Sequence, residues 1–167
     1  MLDPKAPHAW LRRYPRRGNT ARMLWAGGML ACLLVAGHLA QLRTGLLIPP
    51  FGATLSLLVY LPEQPVSQPL PVVGGSTLGA VVGSLGHLWW PSPWMAGIVA
   101  AALLLLLPRV GLYHPPAIAL AIYTELLHPA FWFPWLVVFP FTALAVTSYA
   151  LCARYTKGTP YPGRATT

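Results

Sequence analysis

The chain has 167 residues, 56% of them hydrophobic and only 8% charged, with a mean hydropathy of +0.57. Soluble domains carry about 25% charged residues, so this composition cannot cover a water-facing surface and excludes a soluble globular domain. The net charge of +8 does not point to nucleic acid, because it sits mainly at the two ends. Lys5, Arg12, Arg13, Arg16, Arg17 and Arg22 precede the first apolar run, and Arg154, Lys157 and Arg164 follow the last. Basic flanks of this kind read as cytoplasmic anchors. The expectation is a multi-pass protein of a bacterial inner membrane, with the bilayer as its first partner, both termini cytoplasmic and an even number of crossings.

Residues 1–20 form a Pro- and Arg-rich lead. The first span, about Arg22–Leu42, is longer than a signal-peptide core and meets the ~20 residues a bilayer demands. Next comes LLIPPFGATLSLLVYLPEQP, apolar but broken by Pro49-Pro50 and Gly52. A glycine-rich span follows at about Pro71–Trp90, then an apolar but short segment between Pro93 and Pro108. The stretch LYHPPAIALAIY, Leu112–Tyr123, again carries paired prolines. The last span covers about Phe131–Cys152, and a basic tail occupies 156–167. The membrane domain is thus placed at 21–155. Cys32 and Cys152 lie in or beside apolar segments without metal-like spacing, so no disulfide framework, metal site or cofactor is expected.

IPPFGATLSLLVY from Ile48 and HPPAIALAIY from His114 share one plan: a residue, Pro-Pro, small residues, then an aliphatic run ending in tyrosine. Each is flanked by an apolar span on either side, so halves 22–90 and 93–152 read as one unit used twice. The predicted fold is all-α: two repeats of span, short broken Pro-Pro helix and span, giving four full spans plus two short membrane helices. If the short helices re-enter, the chain crosses four times; if each crosses with an extended piece, it crosses six times, and Arg109 then joins the basic side.

Proline is favoured at the first helical position, so both prolyl stretches read as helix starts inside the membrane. A helix start offers free N–H groups and a partial positive charge, which is anion-binding chemistry. Pro49, Pro50, Phe51, Gly52, Ala53 and Thr54, with His114, Pro115, Pro116 and Ala117, are therefore the candidate substrate-binding residues. Gly75, Gly79 and Gly83 fall on one helix face, a small-xxx-small pattern for close packing at the bundle centre or at a homo-oligomer seam. Glu125 and His128, one turn apart in TELLHP, suggest a Glu–His hydrogen bond near the interface or a proton-coupling role. His38 and His87 fall near span ends and read as interfacial. No nucleophilic triad, phosphate loop or metal cluster is visible, so no enzymatic activity is expected.

His114-Pro115-Pro116 in a small polytopic chain resembles the HPP family, named for that tripeptide. Pro50–Ala53 resembles the family's Pro-Phe-Gly-Ala element, and Gln68-Pro69 with Gly74-Gly75 its Gln-Pro…Gly-Gly stretch, with Gly83 its later glycine. The resemblance covers about residues 25–150. It implies an integral membrane protein with four predicted spans, and for some members nitrite transport. This chain departs from the family pattern at Ala117–Leu120, where Ala-Gly-Ala-Thr is usual, at Leu70-Pro71 and at Ser76, losing polarity each time. The expected function is transport of a small inorganic anion such as nitrite; the alternative is a non-transporting membrane scaffold or accessory subunit.

Overall fold

The computed structural model describes residues 20–40, 48–155 and 161–163. The basic lead, Arg43 and most of the C-terminal tail lie outside the described residues. Six α-helices follow in order: α1 (Thr20–Leu39), α2 (Pro49–Tyr60), α3 (Ser76–Trp89), α4 (Pro93–Arg109), α5 (Pro115–Leu127) and α6 (Phe139–Tyr155), with no strand among the described residues. A single turn of π-helix leads into α3 at Pro71–Gly75 and another into α6 at Pro134–Val138. Each begins at a proline, whose missing N–H breaks the regular i→i−4 ladder. Counting those turns, three helices are long and apolar enough to cross a membrane: Thr20–Leu39, Pro71–Trp89 and Pro134–Tyr155. The chain is a multi-pass membrane protein.

Three of the four expected full spans meet that length and composition among the described residues. Helix α4 has 17 residues and is the shorter, fourth apolar segment. Helices α2 and α5, with 12 and 13 residues, measure about 18–20 Å, well short of a ~30 Å hydrocarbon core.

Contacts fix the sense of each helix. Trp25 near the start of α1 donates its Nε1–H to Ser148 Oγ near the end of α6 at 3.0 Å, so these two run in opposite senses. Tyr149 of α6 meets Tyr161, whose hydroxyl bonds the Ser67 carbonyl in the turn between α2 and α3. Helix α2 therefore ends, and α3 begins, where α1 begins and α6 ends. Positions 75, 79, 83 and 86 face Leu112, Ala117, Ala121 and Glu125 in rising order, so the α3 segment and α5 are parallel. Helix α4 returns between them. The six helices thus alternate in sense. Arg22, Arg109 and Arg154, the only Lys or Arg among the described residues, all fall at one end. Exposed Trp89, Trp90, Trp94 and Trp135 fall at or near the other, where indole rings suit a membrane interface.

The largest interior cluster joins Phe51, Leu55 and Leu58 of α2 to Val72, Leu120, Phe141 and Tyr149. A second joins Val99, Leu103 and Leu107 of α4 to Ala117 and Ala121 of α5. Leu34, Val35, Leu105, Leu136 and Leu151 are exposed, as expected of side chains that face lipid.

Candidate functional site

The glycine stripe is the backbone of the bundle. Helices α3 and α5 share the most extensive helix–helix contact. A Cβ on Gly75, Gly79 or Gly83 would overlap the carbonyl oxygen of Leu112, Ala117 or Ala121. The stripe is therefore a seam within the chain, at the bundle centre. Of the two expected settings for this face, the bundle centre is the one observed, with α5 covering it.

The two prolyl helices meet beside this seam. His114 caps α5 from an extended conformation and is fully buried. Its Nδ1 lies 2.7 Å from the Val66 carbonyl, and its Nε2 lies 2.9 Å from Thr54 Oγ1 of α2. A carbonyl only accepts, so Nδ1 carries a proton, and in the neutral ring Nε2 accepts from the Thr54 hydroxyl. One imidazole thereby ties α5, α2 and the turn between α2 and α3 together, with both nitrogens in contact with a partner.

The helix starts differ from the sequence expectation in one physical respect. In each, the two prolines occupy the first two helical positions and have no N–H. The third N–H, of Phe51 or Ala117, bonds back to the capping carbonyl of Ile48 or His114 at 3.0 and 2.8 Å. Paired prolines strip a helix start of donors rather than presenting them. Only the positive end of the helix dipole remains. Nor do the starts converge. Helix α5 begins level with Thr54, more than a turn into α2, and the two run in opposite senses.

The remaining candidates divide by burial. Phe51 and Ala117 are fully buried packing residues, Phe51 against Phe141 with ring centroids 4.1 Å apart. Pro50 and Pro116 are also buried. Pro49, Ala53 and Pro115 are exposed, and Gly52 has no atom within 4 Å of where a Cβ would stand. Ala53, Ser56, Leu57, Pro115, Pro116 and Ala119 line a shallow groove along the α2–α5 junction.

Glu125 and His128 are not bonded to one another. Glu125 is buried and faces His87 of α3, with Oε1 3.8 Å from Nδ1. The His87 ring stacks on His128 at 3.6 Å. His87, read from the sequence as interfacial, is thus the residue that connects the other two. Its spacing from Glu125 is long-range, so no local pattern marks it. His38 closes the last turn of α1.

The turn carrying Val66 is held from behind by Tyr161–Gly163. Tyr161 donates its hydroxyl to the Ser67 carbonyl at 2.9 Å, the acceptor whose helical partner would have been the N–H that Pro71 lacks. Gly163 N–H donates to Gln68 Oε1, while Gln68 Nε2 donates to the Pro62 carbonyl. Burial pushes the Tyr161 phenol above its ordinary range, and nearby Tyr149 adds to the effect. Among the described residues no three His, Cys, Asp or Glu side chains are grouped to hold a metal.

Neither the curated proteins nor the solved structures yield a match to this chain. A family model does match: that of the HPP transmembrane region, over residues 15–162. Its matched region holds the buried histidine junction, the glycine seam and all six helices, and the chain belongs to the HPP transmembrane family.

Proposed function

We propose that the chain transports a small inorganic anion such as nitrite across a bacterial inner membrane, and that the His114–Thr54 junction is its closed gate. The observation that carries this reading is a fully buried histidine at the start of α5 that bridges the two short helices inside an apolar bundle. Buried polar groups inside a membrane protein are expensive and tend to mark a substrate path. In this reading the halves 22–90 and 93–152 are inverted repeats. Support comes from the alternating senses, the Pro-Pro start of α2 and α5, and the π-turn that leads into α3 and α6.

Interrupted helices at matching positions of two halves are a known setting for a transporter's site. With six passes, Arg22, Arg109 and Arg154 share the cytoplasmic side, as the charge rule requires. The anion passes the positive ends of α2 and α5. It approaches backbone at Gly52 and meets the Thr54 hydroxyl and the His114 ring once these release each other. Phe51 and Ala117 shape that passage by packing rather than by contact with the ion.

Nitrite uptake into proteoliposomes tests the reading. Protein-containing vesicles should take up nitrite well above protein-free ones, and Gly52→Leu and His114→Leu should lower that excess by about tenfold or more. Uptake at the protein-free level overturns transport and leaves a membrane scaffold, for which a self-satisfied histidine tie is sufficient.

A further inference from the structure

At the far end of the α3–α5 seam from the histidine junction lies a second polar cluster. The chain has three acidic residues, Asp3, Glu63 and Glu125, and Glu125 alone lies within a helix among the described residues. It is 1% exposed, and neither carboxyl oxygen has a hydrogen-bond partner. His87 Nδ1, 3.8 Å away, is also buried and unpartnered. That separation is too long for a hydrogen bond, yet a sub-ångström shift of the ring or one bridging water closes it. On its other side His87 stacks on exposed His128. Both imidazoles, with Ser84 and Thr124, line a cavity of about 270 Å³.

The hydroxyls of Ser84 and Thr124 are already donated to the Ala80 carbonyl, so the rings are the exchangeable groups in that lining. Helix α4 brings Met95 and Val99 beside Gly86, and its one charged residue, Arg109, stands in its last turn, so His87, with His128 stacked on it, is the titratable group that faces Glu125. Gly86 completes the geometry. A Cβ there would stand 2.8 Å from Glu125 Oε2, so the missing side chain is what admits the carboxyl between α3 and α4.

We propose that Glu125, His87 and the vestibule beside His128 form a proton site that couples proton entry to anion passage. The proposal rests on the transport reading and names the proton as co-substrate. A carboxyl with no donor is uncompensated in this interior unless it carries a proton or faces an imidazolium. The exchange conserves charge: the carboxylic acid passes its proton from Oε1 to His87 Nδ1, giving carboxylate and imidazolium, and the imidazolium releases its Nε2 proton to the vestibule. The reverse sequence loads the site. Because α5 carries Glu125 at one end and His114 at the other, a change in the fit of Glu125 against Gly86 is transmitted along a seam too close-packed to yield locally.

Two measurements on the full chain in lipid test this. The first is infrared difference spectroscopy between acidic and alkaline buffer. A carboxylic-acid carbonyl band should change with pH and be missing from Glu125→Gln, and His87→Gln should alter it. The second is nitrite-driven acidification inside vesicles carrying a pH dye, with protein-free vesicles setting the background from nitrous acid. Glu125→Gln should reduce the protein-dependent acidification per nitrite taken up about tenfold. A spectrum in which Glu125→Gln removes nothing overturns the proton site, and so does undiminished acidification in that variant. If wild-type vesicles move no nitrite, the transport reading falls on that result, and the spectrum still decides whether Glu125 exchanges a proton.

Discussion

Replacing Gly79 by alanine adds one methyl group where α3 crosses the backbone of α5. The Cβ would overlap the Ala117 carbonyl oxygen and stand 2.9 Å from its carbon. The obstacle is backbone, so no side chain can rotate aside. Moving that carbon out to the 3.4 Å at which ordinary contact begins requires about 0.5 Å of separation, and the oxygen requires more. A gap of about 0.5–1 Å forfeits roughly a quarter to a half of each dispersion contact it opens. In lipid this matters more than in water, because helix association there rests on packing and not on expelling water. The expected loss is about 3 kcal/mol, the upper end for overpacking. Gly97 of α4 is the control, since a Cβ there meets nothing within 4 Å. Gly97→Ala should be neutral or stabilise by up to about 1 kcal/mol, the helix propensity difference. Reversible unfolding by titrating SDS into mixed micelles, followed by tryptophan fluorescence, measures both. If Gly79→Ala proves as stable as Gly97→Ala, the seam is not the close backbone contact described, and the parallel register of α3 and α5 falls with it.

Thr54→Val keeps the shape of the side chain but leaves His114 Nε2 without a donor, and should destabilise by about 1–3 kcal/mol in the same unfolding assay; an unchanged midpoint means the junction does not hold the helices. Ser148→Ala removes the acceptor of Trp25 across α1 and α6 and should cost only about 0.6 kcal/mol, the average for such bonds in a bilayer. A larger loss would show that the pair organises more than one contact. Tyr161→Phe should cost about 1 kcal/mol at neutral pH through its bond to the Ser67 carbonyl. The folded state holds the Tyr161 proton more tightly than the unfolded chain, so this contribution is complete below about pH 10 and fades as the pH rises above it. Wild type should therefore lose more stability between neutral and alkaline pH than Tyr161→Phe; parallel curves would refute the buried-phenol account.

Much of the architecture was legible because the bilayer restricts the menu. An 8% charged composition left only a membrane protein, and proline pairs at Pro49 and Pro115 marked helix starts that the structure places at those residues. Glycines four residues apart implied a close helix contact. The same pattern said nothing about the partner, and a second copy would have served as well as α5. Paired prolines differ from the sequence expectation in chemical detail. Their value as helix-starting residues and their lack of N–H are one property, so the start they favour is also one without donors. The i, i+3 spacing points from Glu125 to His128, the nearest histidine in sequence, whereas the carboxyl faces His87. His87, 38 positions away, is nearest in space only because α3 and α5 are parallel and in register.

By itself, the sequence determined the solvent, the family, the helix starts and the existence of a tight seam, since each depends on local chemistry or on composition. Tertiary structure alone decided that α5 fills the seam, that His114 spends both nitrogens on Thr54 and Val66, and that Glu125 faces His87. Those facts depend on which helices become neighbours and at what register. That choice comes from packing summed over the whole bundle, where a backbone carbonyl fits against a missing Cβ, and no local stretch of residues carries it.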